Sequence, residues 1–200
     1  MLRHLADTYR RRPGETGREA FARVAEKLAS GAFVLDAGCG TGVSTLALAR
    51  EYPRRLVVGV DKSAPRLAIG RRLVDSGAAP ANTILLRCEL VDFWQLAAAA
   101  GLRCERQFLL YPNPWPKPDQ LKRRWHAHPV LPAIIALGGT IEVRTNWRVY
   151  ADEFGAALQL AGLNVRCEEF AAAEPLTPFE RKYAASGHTL WRCVARNVSL

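Results

Sequence analysis

A glycine-rich turn follows the first run of apolar, β-branched residues in the chain. The stretch Leu35–Gly42 contains Asp36 and then glycines at alternate positions, Gly38, Gly40 and Gly42. Glycines let a backbone turn sharply and approach a ligand closely, because a side chain at those positions would collide with it. We therefore predict that this turn, between the end of a strand and the start of a helix, binds a nucleotide-like ligand.

Three acidic residues discriminate between the ligands that such a turn can bind. Asp36 precedes the glycines, where a carboxylate could meet an amino group, directly or through water, but would repel a pyrophosphate. Asp61 ends the second strand-like run, where a carboxylate can accept both hydroxyls of a ribose. Glu89 follows the third run, beside the expected adenine. The pattern favours S-adenosylmethionine over a dinucleotide; the alternative is a nucleotide-binding fold without catalysis.

A second group of residues suited to chemistry lies at the end of the fourth strand-like run. It comprises Tyr111-Pro112-Asn113-Pro114-Trp115-Pro116-Lys117, followed by Lys122-Arg123-Arg124. Open parallel sheets bind ligands at the carboxyl ends of their strands, so we expect Asn113-Pro114-Trp115 next to the methyl donor. The cations Lys117, Lys122, Arg123 and Arg124 suit phosphates, which position a nucleic acid without reading its sequence. We predict a loop that handles a nucleobase, joined to a phosphate-binding helix.

The charge of the whole chain agrees with a polyanionic partner. The formal net charge is +9 and the isoelectric point is near 9.8. Clustered Lys and Arg displace counterions from phosphate backbones, so RNA or DNA is the first candidate and an acidic membrane the second. No run approaches the ~20 apolar residues of a membrane span, and the N-terminus has no apolar signal core. We expect a cytoplasmic protein that does not enter the membrane.

The cysteines and histidines argue against a metal centre. The five cysteines are far apart and include no Cys-x-x-Cys pair, which argues against zinc and against a disulfide framework. We expect all of them to be buried small apolar residues, at positions Cys39, Cys88, Cys104, Cys167 and Cys193. His126 and His128 are two residues apart, which on a helix directs them to different faces. No metal is expected.

Short apolar runs alternate with longer Ala/Leu/Arg segments, as in a parallel α/β sheet. Strands are predicted at Phe33–Ala37, Leu56–Val60, Thr83–Arg87, Gln107–Tyr111, Thr140–Arg144, Asn164–Phe170 and Thr189–Ala195. Helices are predicted at Arg18–Ala29, Val43–Glu51, Ala64–Ser76, Asp92–Ala100, Gln120–Leu137 and Val149–Ala161, with a polar loop around Thr177–Lys182. Residues 1–20 are basic and punctuated by Gly and Pro, and we expect them to form an arm before a single domain, residues 21–200.

The residues from Asp36 to Glu89 resemble those of the class I S-adenosylmethionine-dependent methyltransferases, and the likeness covers nearly the whole chain. It implies a Rossmann-like fold: a seven-stranded, mostly parallel sheet with an antiparallel last strand and helices on both faces.

Four motifs, in order, resemble those of the bacterial tRNA (guanine-N7)-methyltransferases. They are a Pro-Trp-Pro-Lys loop, a following Lys-Arg-Arg, the turn Thr145-Asn146-Trp147, and Thr177-Pro178-Phe179-Glu180 ahead of the last strand. The resemblance implies a tRNA substrate. It matches Asp36, Asp61 and Glu89 to cofactor-binding acids, and Lys117, Asn146 and Thr177 through Glu180 to substrate-binding positions.

Two departures from the family pattern concern chemistry. Asn113 and Asn146 stand where the family has aspartates, and Gln120 stands where many members have a histidine. Guanine N7 carries an in-plane lone pair and no proton, so its methylation needs alignment rather than a general base. A carboxylate could still accept the donors of the guanine edge and stabilise the cation that forms. Asn113, which also borders the expected methyl donor, is the candidate catalytic residue.

Asparagine at position 113 leaves two alternatives open. Asn-Pro-Trp also resembles the Asn/Asp-Pro-Pro-Tyr/Trp loop of amino-methyltransferases, which would methylate adenine N6 or cytosine N4. That reading explains neither Lys117 with the basic triplet nor the Thr177–Glu180 segment. The other alternative is a catalytically weakened homologue that still binds S-adenosylmethionine and RNA, against which the intact Asp36, glycines and Asp61 argue.

Overall fold

The computed structural model describes Tyr9 and residues 11–197. Its strands are β1 (Phe33–Ala37), β2 (Val57–Asp61), β3 (Thr83–Arg87), β4 (Cys104–Leu110), β5 (Thr140–Thr145), β6 (Asn164–Phe170) and β7 (Leu190–Arg196). They form a seven-stranded sheet in the order β3-β2-β1-β4-β5-β7-β6. Strand β7 runs antiparallel to β5 and β6, and the other neighbouring pairs are parallel. The predicted sheet, with its antiparallel last strand, is confirmed.

Both faces of the sheet are covered by helices. They are α1 (Glu15–Ala29), α2 (Val43–Glu51), α3 (Ala64–Asp75), α4 (Leu90–Ala99), α5 (Leu131–Ala136), α6 (Arg148–Leu160) and α7 (Pro178–Ala185). Side chains of a strand alternate between faces. In β1, Phe33 and Leu35 accordingly pack in the larger core with residues of α1, α4 and α6, whereas Val34 packs with Leu48 of α2 on the other face. Burial on both faces explains why β1 is apolar almost throughout.

The prediction of one helix over Gln120–Leu137 is wrong. A short 3-10 helix covers Pro118–Arg123, and α5 begins only at Leu131. Prolines at positions 129 and 132 explain the interruption, because proline has no N–H and disfavours helical geometry in the residue before it. The basic triplet therefore lies at the end of a 3-10 helix and in the turn after it.

The prediction of a polar loop around Thr177–Lys182 is also wrong, since α7 begins at Pro178. The Thr177 hydroxyl accepts a hydrogen bond of 2.9 Å from the backbone N–H of Glu180. Threonine at the N-cap with a glutamate three residues later, and proline in the first turn, is a recognised helix start. The last motif before β7 is thus the first turn of a helix.

At the N-terminal end, α1 begins at Glu15, earlier than predicted. The buried carboxylate of Asp92 accepts hydrogen bonds from the Arg11 side chain (2.8 Å) and the backbone N–H of Gly14 (3.1 Å). Gly17 packs so closely against α4 that a Cβ there would lie 2.6 Å from Asp92 Oδ2. Part of the proposed arm therefore contacts the domain, while its residues 1–8 and 10 lie outside the described residues.

Two of the five cysteines were predicted wrongly. Cys167 and Cys193 face each other across the antiparallel pair β6 and β7, and they form a disulfide. Their strands are joined through α7, so their proximity follows from sheet register and not from their spacing in the sequence. Cys39, Cys88 and Cys104 are buried free thiols, as expected. Within the described part of the chain, no helix is long and apolar enough to cross a membrane.

Candidate active site

The carboxyl ends of the parallel strands open onto a cavity of about 990 Å³. It lies where β1 is flanked by β2 on one side and β4 on the other, so the strand order reverses direction there; open α/β sheets bind ligands at such a point. Nine predicted site residues line it: Asp36, Gly38, Gly40, Asp61, Glu89, Asn113, Arg123, Asn146 and Thr177. Five others are not part of its lining: Gly42, Lys117, Lys122, Arg124 and Glu180.

The glycine turn has a backbone that other residues adopt only with strain. The φ angles of Gly38, Gly40 and Gly42 are 81°, 57° and 79°, all in the left-handed region. A Cβ at Gly40 would meet nothing within 4 Å, whereas one at Gly42 would lie 3.0 Å from a methyl carbon of Leu85. Gly38 and Gly40 border the cavity, and Gly42 allows the start of α2 to pack on β3.

Asp36 is buried at the cavity floor and held by the first turn of α2. Its Oδ2 accepts hydrogen bonds from the hydroxyls of Ser44 (2.6 Å) and Thr45 (2.7 Å). Burial raises the pKa of Asp36 to about 6, while the Ser44 and Thr45 hydrogen bonds lower it and the nearby charge of Asp61 raises it further. A cationic ligand group beside Asp36 would be favoured, because it would offset the cost of burying the carboxylate.

Asp61, at the end of β2, joins two turns. Its Oδ2 accepts a hydrogen bond from the backbone N–H of Gly40 (3.0 Å), and its Oδ1 accepts one from Ser63 (2.8 Å). Glu89, after β3, is exposed and pairs with Lys62 at 3.5 Å. The three predicted acids thus lie along one side of the cavity, each at the end of a neighbouring strand.

The loop after β4 forms the opposite side of the cavity. Tyr111 and Trp115 have positive φ angles of 52° and 44°, which are uncommon for residues other than glycine. Asn113 Oδ1 accepts a hydrogen bond of 3.3 Å from the backbone N–H of Trp115. The loop is therefore a tight turn in a strained conformation, with Asn113 exposed at the cavity.

Aromatic rings make up much of this side of the cavity. The lining includes Tyr111, Trp115, Trp125, Trp147, Phe179 and Tyr183. Trp147 and Phe179 are 40% and 54% exposed, so two large rings at this site face solvent and are available for stacking. The rings of Phe179 and Tyr183 are nearly parallel, with centroids 6.4 Å apart. A flat ligand would find several faces on which to stack.

The three residues of the basic triplet have different environments. Lys122 is exposed outside the cavity, and the Arg123 guanidinium lies over the Trp115 ring at 4.8 Å from its centroid. Arg124 was predicted to contact phosphate, but its side chain is only 10% exposed and forms an ion pair with Glu153. The structure thus directs Arg124 into the protein, away from any nucleic acid on the surface.

Glu180 is also buried, with no exposed side-chain area. Its Oε1 accepts hydrogen bonds from the Tyr111 hydroxyl (3.2 Å) and Arg144 (3.1 Å), and its Oε2 accepts one from the backbone N–H of Leu176 (2.6 Å). Glu180 therefore ties the Thr177 segment to the ends of β4 and β5, and Thr177 itself lines the cavity.

Asn146 reaches the cavity from the turn after β5. Its side-chain nitrogen lies 3.3 Å from Nδ1 of His188, which is exposed and has its ring 5.3 Å from that of Tyr183. Among residues 9 and 11–197, no group of three or more His, Cys, Asp or Glu side chains is arranged to hold a metal ion.

Comparison with known proteins gives the family. The model of the family described as "Putative methyltransferase" matches residues 30–193. A tRNA (guanine-N(7)-)-methyltransferase of Nitrosococcus oceani is 30% identical over 169 residues, covering 79% of this chain and 68% of the relative. One of Leifsonia xyli subsp. xyli is 29% identical over 169 residues, covering 78% of this chain and 72% of the relative. The chain belongs to the tRNA (guanine-N7)-methyltransferase family.

Solved structures agree with this family's fold. The 16S rRNA methyltransferase KamB superposes with a TM-score of 0.63 at 21% identity, over 87% of this chain and 93% of KamB. At this identity the similarity concerns the fold alone. The class I methyltransferase fold predicted from the sequence is confirmed.

Several supporting residues of this tRNA (guanine-N7)-methyltransferase family member were not predicted. Ser44 and Thr45 lie in the first turn of α2, directly after the glycine turn. Their hydroxyls donate the hydrogen bonds that the buried Asp36 carboxylate accepts. Glu142 and Arg144 alternate with the apolar Ile141 and Val143 in β5, so they share one face, where Arg144 Nε donates to Glu142 at 2.7 Å. Two opposite charges on one buried face were a signal for the network that holds Glu180.

Proposed function

We propose that this protein transfers a methyl group from S-adenosylmethionine to N7 of a guanine in tRNA. The observation that carries the proposal is that two groups of residues line one cavity. The glycine turn and acids after β1, β2 and β3 form one half, and the Asn113 loop with its aromatic rings forms the other. Membership of the tRNA (guanine-N7)-methyltransferase family supports the same assignment.

The first half fits the cofactor. Gly38 and Gly40 leave the backbone open on the cavity side, where the cofactor would pass. Asp36 would face its amino group, Asp61 its ribose hydroxyls, and Glu89 its adenine end. Bound there, S-adenosylmethionine supplies an electrophilic methyl group on a positively charged sulfur. The acidic lining suits this charge, since opposite charges attract, most strongly where the carboxylate is buried, as Asp36 is.

Orientation is the main requirement on the protein. Guanine N7 has no proton to lose, so no residue is needed as a general base, and the reaction places a positive charge on the base. Asn113 borders the cavity in its substrate half; its amide can hydrogen-bond to the base and orient it, but it lacks the negative charge with which a carboxylate would stabilise that cation. The N7 edge of a guanine in A-form RNA lies in a deep, narrow major groove, so we expect the base to leave its stack; Trp147 and Phe179 offer exposed rings to receive it.

The local hydrogen bond of Asn113 favours guanine N7 over an exocyclic amine. Methylation of an amine would use Asn113 Oδ1 as an acceptor for the amine hydrogens. One of the two lone pairs of that oxygen already accepts the Trp115 backbone N–H at 3.3 Å, so the NH₂ group is the more available part of the amide. Asn146 provides a second amide in the same cavity, and we assign Asn146 and Thr177 to contacts with the nucleotide.

Basic side chains around the cavity would bind the tRNA backbone. Arg123 borders the cavity on the substrate side and Lys62 and Arg66 on the cofactor side, while Lys117 and Lys122 are exposed nearby. We assign Arg123, Lys117 and Lys122 to phosphate contacts, and we expect the reaction to take place in the cytoplasm, where tRNA matures.

Two measurements test the proposal. Binding of unmodified tRNA should weaken at least tenfold between about 50 and 200 mM salt, because each phosphate contact releases counterions. Labelled S-adenosylmethionine should transfer its methyl group to that tRNA. A salt-independent or absent interaction with tRNA would overturn the assignment of a nucleic-acid substrate and redirect the search to small molecules.

A further inference from the structure

We infer that Arg124 is a positioning residue that holds the Asn113 loop in its strained conformation. It binds the loop backbone and is not a phosphate ligand. The inference rests on the proposed function, because the loop affects catalysis only if the substrate meets it. Within that function, it gives Arg124 a different role from Lys122 and Arg123, which we assign to phosphate contacts.

The hydrogen bonds of Arg124 converge on a single loop carbonyl. Its Nε and one terminal nitrogen donate to the backbone oxygen of Trp115 at 3.2 Å and 3.1 Å. The other terminal nitrogen donates to Glu153 Oε2 at 2.5 Å. The planar guanidinium allows this forked arrangement, which a lysine ammonium cannot reproduce.

Arg124 binds the backbone of Trp115, a residue whose conformation is strained. Trp115 has a φ of 44°, a left-handed conformation that residues other than glycine adopt only with strain. Its N–H donates to Asn113 Oδ1 and its carbonyl accepts from Arg124, so both polar groups of the strained residue are engaged. These contacts set where the Asn113 amide lies in the cavity.

Arg124 is itself held from the other side by α6. The Glu153 carboxylate that pairs with it also lies 3.0 Å from Nε2 of the buried His126. The His126 ring packs edge-on against Tyr150 and Phe154, with centroids 5.0 Å and 5.7 Å away. The arginine therefore connects the loop to a packed helix of the domain.

Arg123 and Lys122 provide the contrast within the same three residues. Both are exposed, and Arg123 contacts the ring of Trp115 while Arg124 contacts its backbone. A charge that is buried and paired releases no counterions when RNA binds. Removing Arg124 should therefore leave the salt dependence of tRNA binding unchanged, whereas removing Lys122 should lower its slope by about one.

The test compares Arg124→Lys and Glu153→Gln with Arg54→Lys, which makes the same change as the first at an exposed arginine distant from the loop. Arg124→Lys should lower the single-turnover rate on saturating tRNA at least tenfold. Glu153→Gln should lower it by a smaller factor. The tRNA dissociation constant and its salt slope should not change in either. Arg124→Ala, which removes the charge, should also keep the wild-type salt slope. A wild-type rate in Arg124→Lys, or a reduced salt slope in Arg124→Ala, would overturn the inference.

A second readout does not depend on activity. In the protein without tRNA, exchange of the hydrogen-bonded backbone amides of Tyr111 and Trp115 should become faster in Arg124→Lys and Glu153→Gln and stay unchanged in Arg54→Lys. If exchange is faster in the two variants but the wild-type protein methylates no RNA, the positioning role stands and the proposed function is overturned. Unchanged exchange and rate in an active protein would overturn the positioning role alone.

Discussion

The carboxylate of Asp61 accepts a hydrogen bond of 3.0 Å from the backbone N–H of Gly40. This contact joins the end of β2 to the glycine turn after β1, so one side chain both shapes the turn and faces the proposed ribose position. The other oxygen of the same carboxylate accepts a hydrogen bond from the backbone N–H of Ser63, so a change at Asp61 affects the turns and the proposed ribose contact together. Cofactor binding should therefore be sensitive to small changes at position 61.

Asp61→Asn should weaken S-adenosylmethionine binding by about tenfold to a hundredfold, equivalent to roughly 1.4–2.8 kcal/mol. The amide keeps one acceptor oxygen but places an NH₂ group opposite either a backbone N–H or a ribose hydroxyl. Isothermal titration calorimetry measures the change. Asp75→Asn, at an exposed position at the end of α3, is the matched control. Equal affinities for wild type and Asp61→Asn would remove Asp61 from the cofactor site.

The affinity for S-adenosylmethionine should fall as the pH drops below about 6. The pKa of Asp36 is raised to about 6, chiefly by burial, so the carboxyl becomes neutral below this pH and no longer attracts the cofactor's amino cation. Binding should be nearly constant above pH 7 and about tenfold weaker at pH 5. Asp36→Asn should bind weakly at every pH. A pH-dependent affinity that persists in Asp36→Asn would show that another group is responsible.

The same pKa shift predicts that Asp36 reduces the stability of the ligand-free protein. Its folded pKa of about 6 lies above the ordinary value of 3.8, so its contribution to stability is complete below pH ~4 and is lost as the pH rises through 6. At pH 7.5, Asp36→Asn should therefore raise the free energy of unfolding by ~1–3 kcal/mol. Thermal unfolding at pH 4.5 and 7.5 tests this; a variant less stable at pH 7.5 contradicts it.

Gly70→Ala should weaken cofactor binding from outside the cavity. A Cβ at Gly70, in α3, would lie 2.6 Å from the carbonyl oxygen of Thr41, which borders the cavity. Relief of this clash must shift α3 or the glycine turn, at a cost of ~1–3 kcal/mol. Gly31→Ala is the control, since nothing lies within 4 Å of the added carbon. Unfolding temperature and calorimetric affinity should fall for the first variant only.

Asn113→Asp should raise the guanine-N7 activity, by about tenfold or more in kcat/KM. A carboxylate stabilises the cation that forms on the methylated base by on the order of 2–4 kcal/mol, and one of its oxygens can still accept the Trp115 N–H. Asn113→Ala is the comparison, because it provides neither a group that stabilises the cation nor an acceptor for the Trp115 N–H. Activity of Asn113→Asp no higher than that of Asn113→Ala would contradict the role of Asn113. Gain of guanine methylation with loss of an amine activity would favour adenine or cytosine as the natural substrate.

The sheet and the cofactor half of the site could be predicted because their signals are local. β1 is a short, mostly apolar run that contains Asp36 and is followed at once by the glycines, and these few residues determine both a buried strand and a turn that lines the cavity. Asp61 and Glu89 end neighbouring parallel strands, so sheet order alone brings them together. Thr177, Pro178 and Glu180 likewise carry a local signal for the start of a helix.

The remaining features depend on packing between distant segments. Nothing in the order Lys122-Arg123-Arg124 indicates that the last residue points inward, because its partners are the Trp115 carbonyl and Glu153 of α6. The disulfide between Cys167 and Cys193 depends on the register of β6 against β7. The inward orientation of Arg124 and the pairing of the two cysteines follow only from the packing of elements that are distant in the sequence.

Methylation of guanine N7 is tested by nucleoside mass spectrometry of unmodified tRNA that has been incubated with the protein and labelled S-adenosylmethionine. We expect labelled 7-methylguanosine, and its formation should be greatly reduced with Asp61→Ala. Labelled N6-methyladenosine or N4-methylcytidine, or no labelled nucleoside from a protein that binds both tRNA and cofactor, would contradict the proposed function.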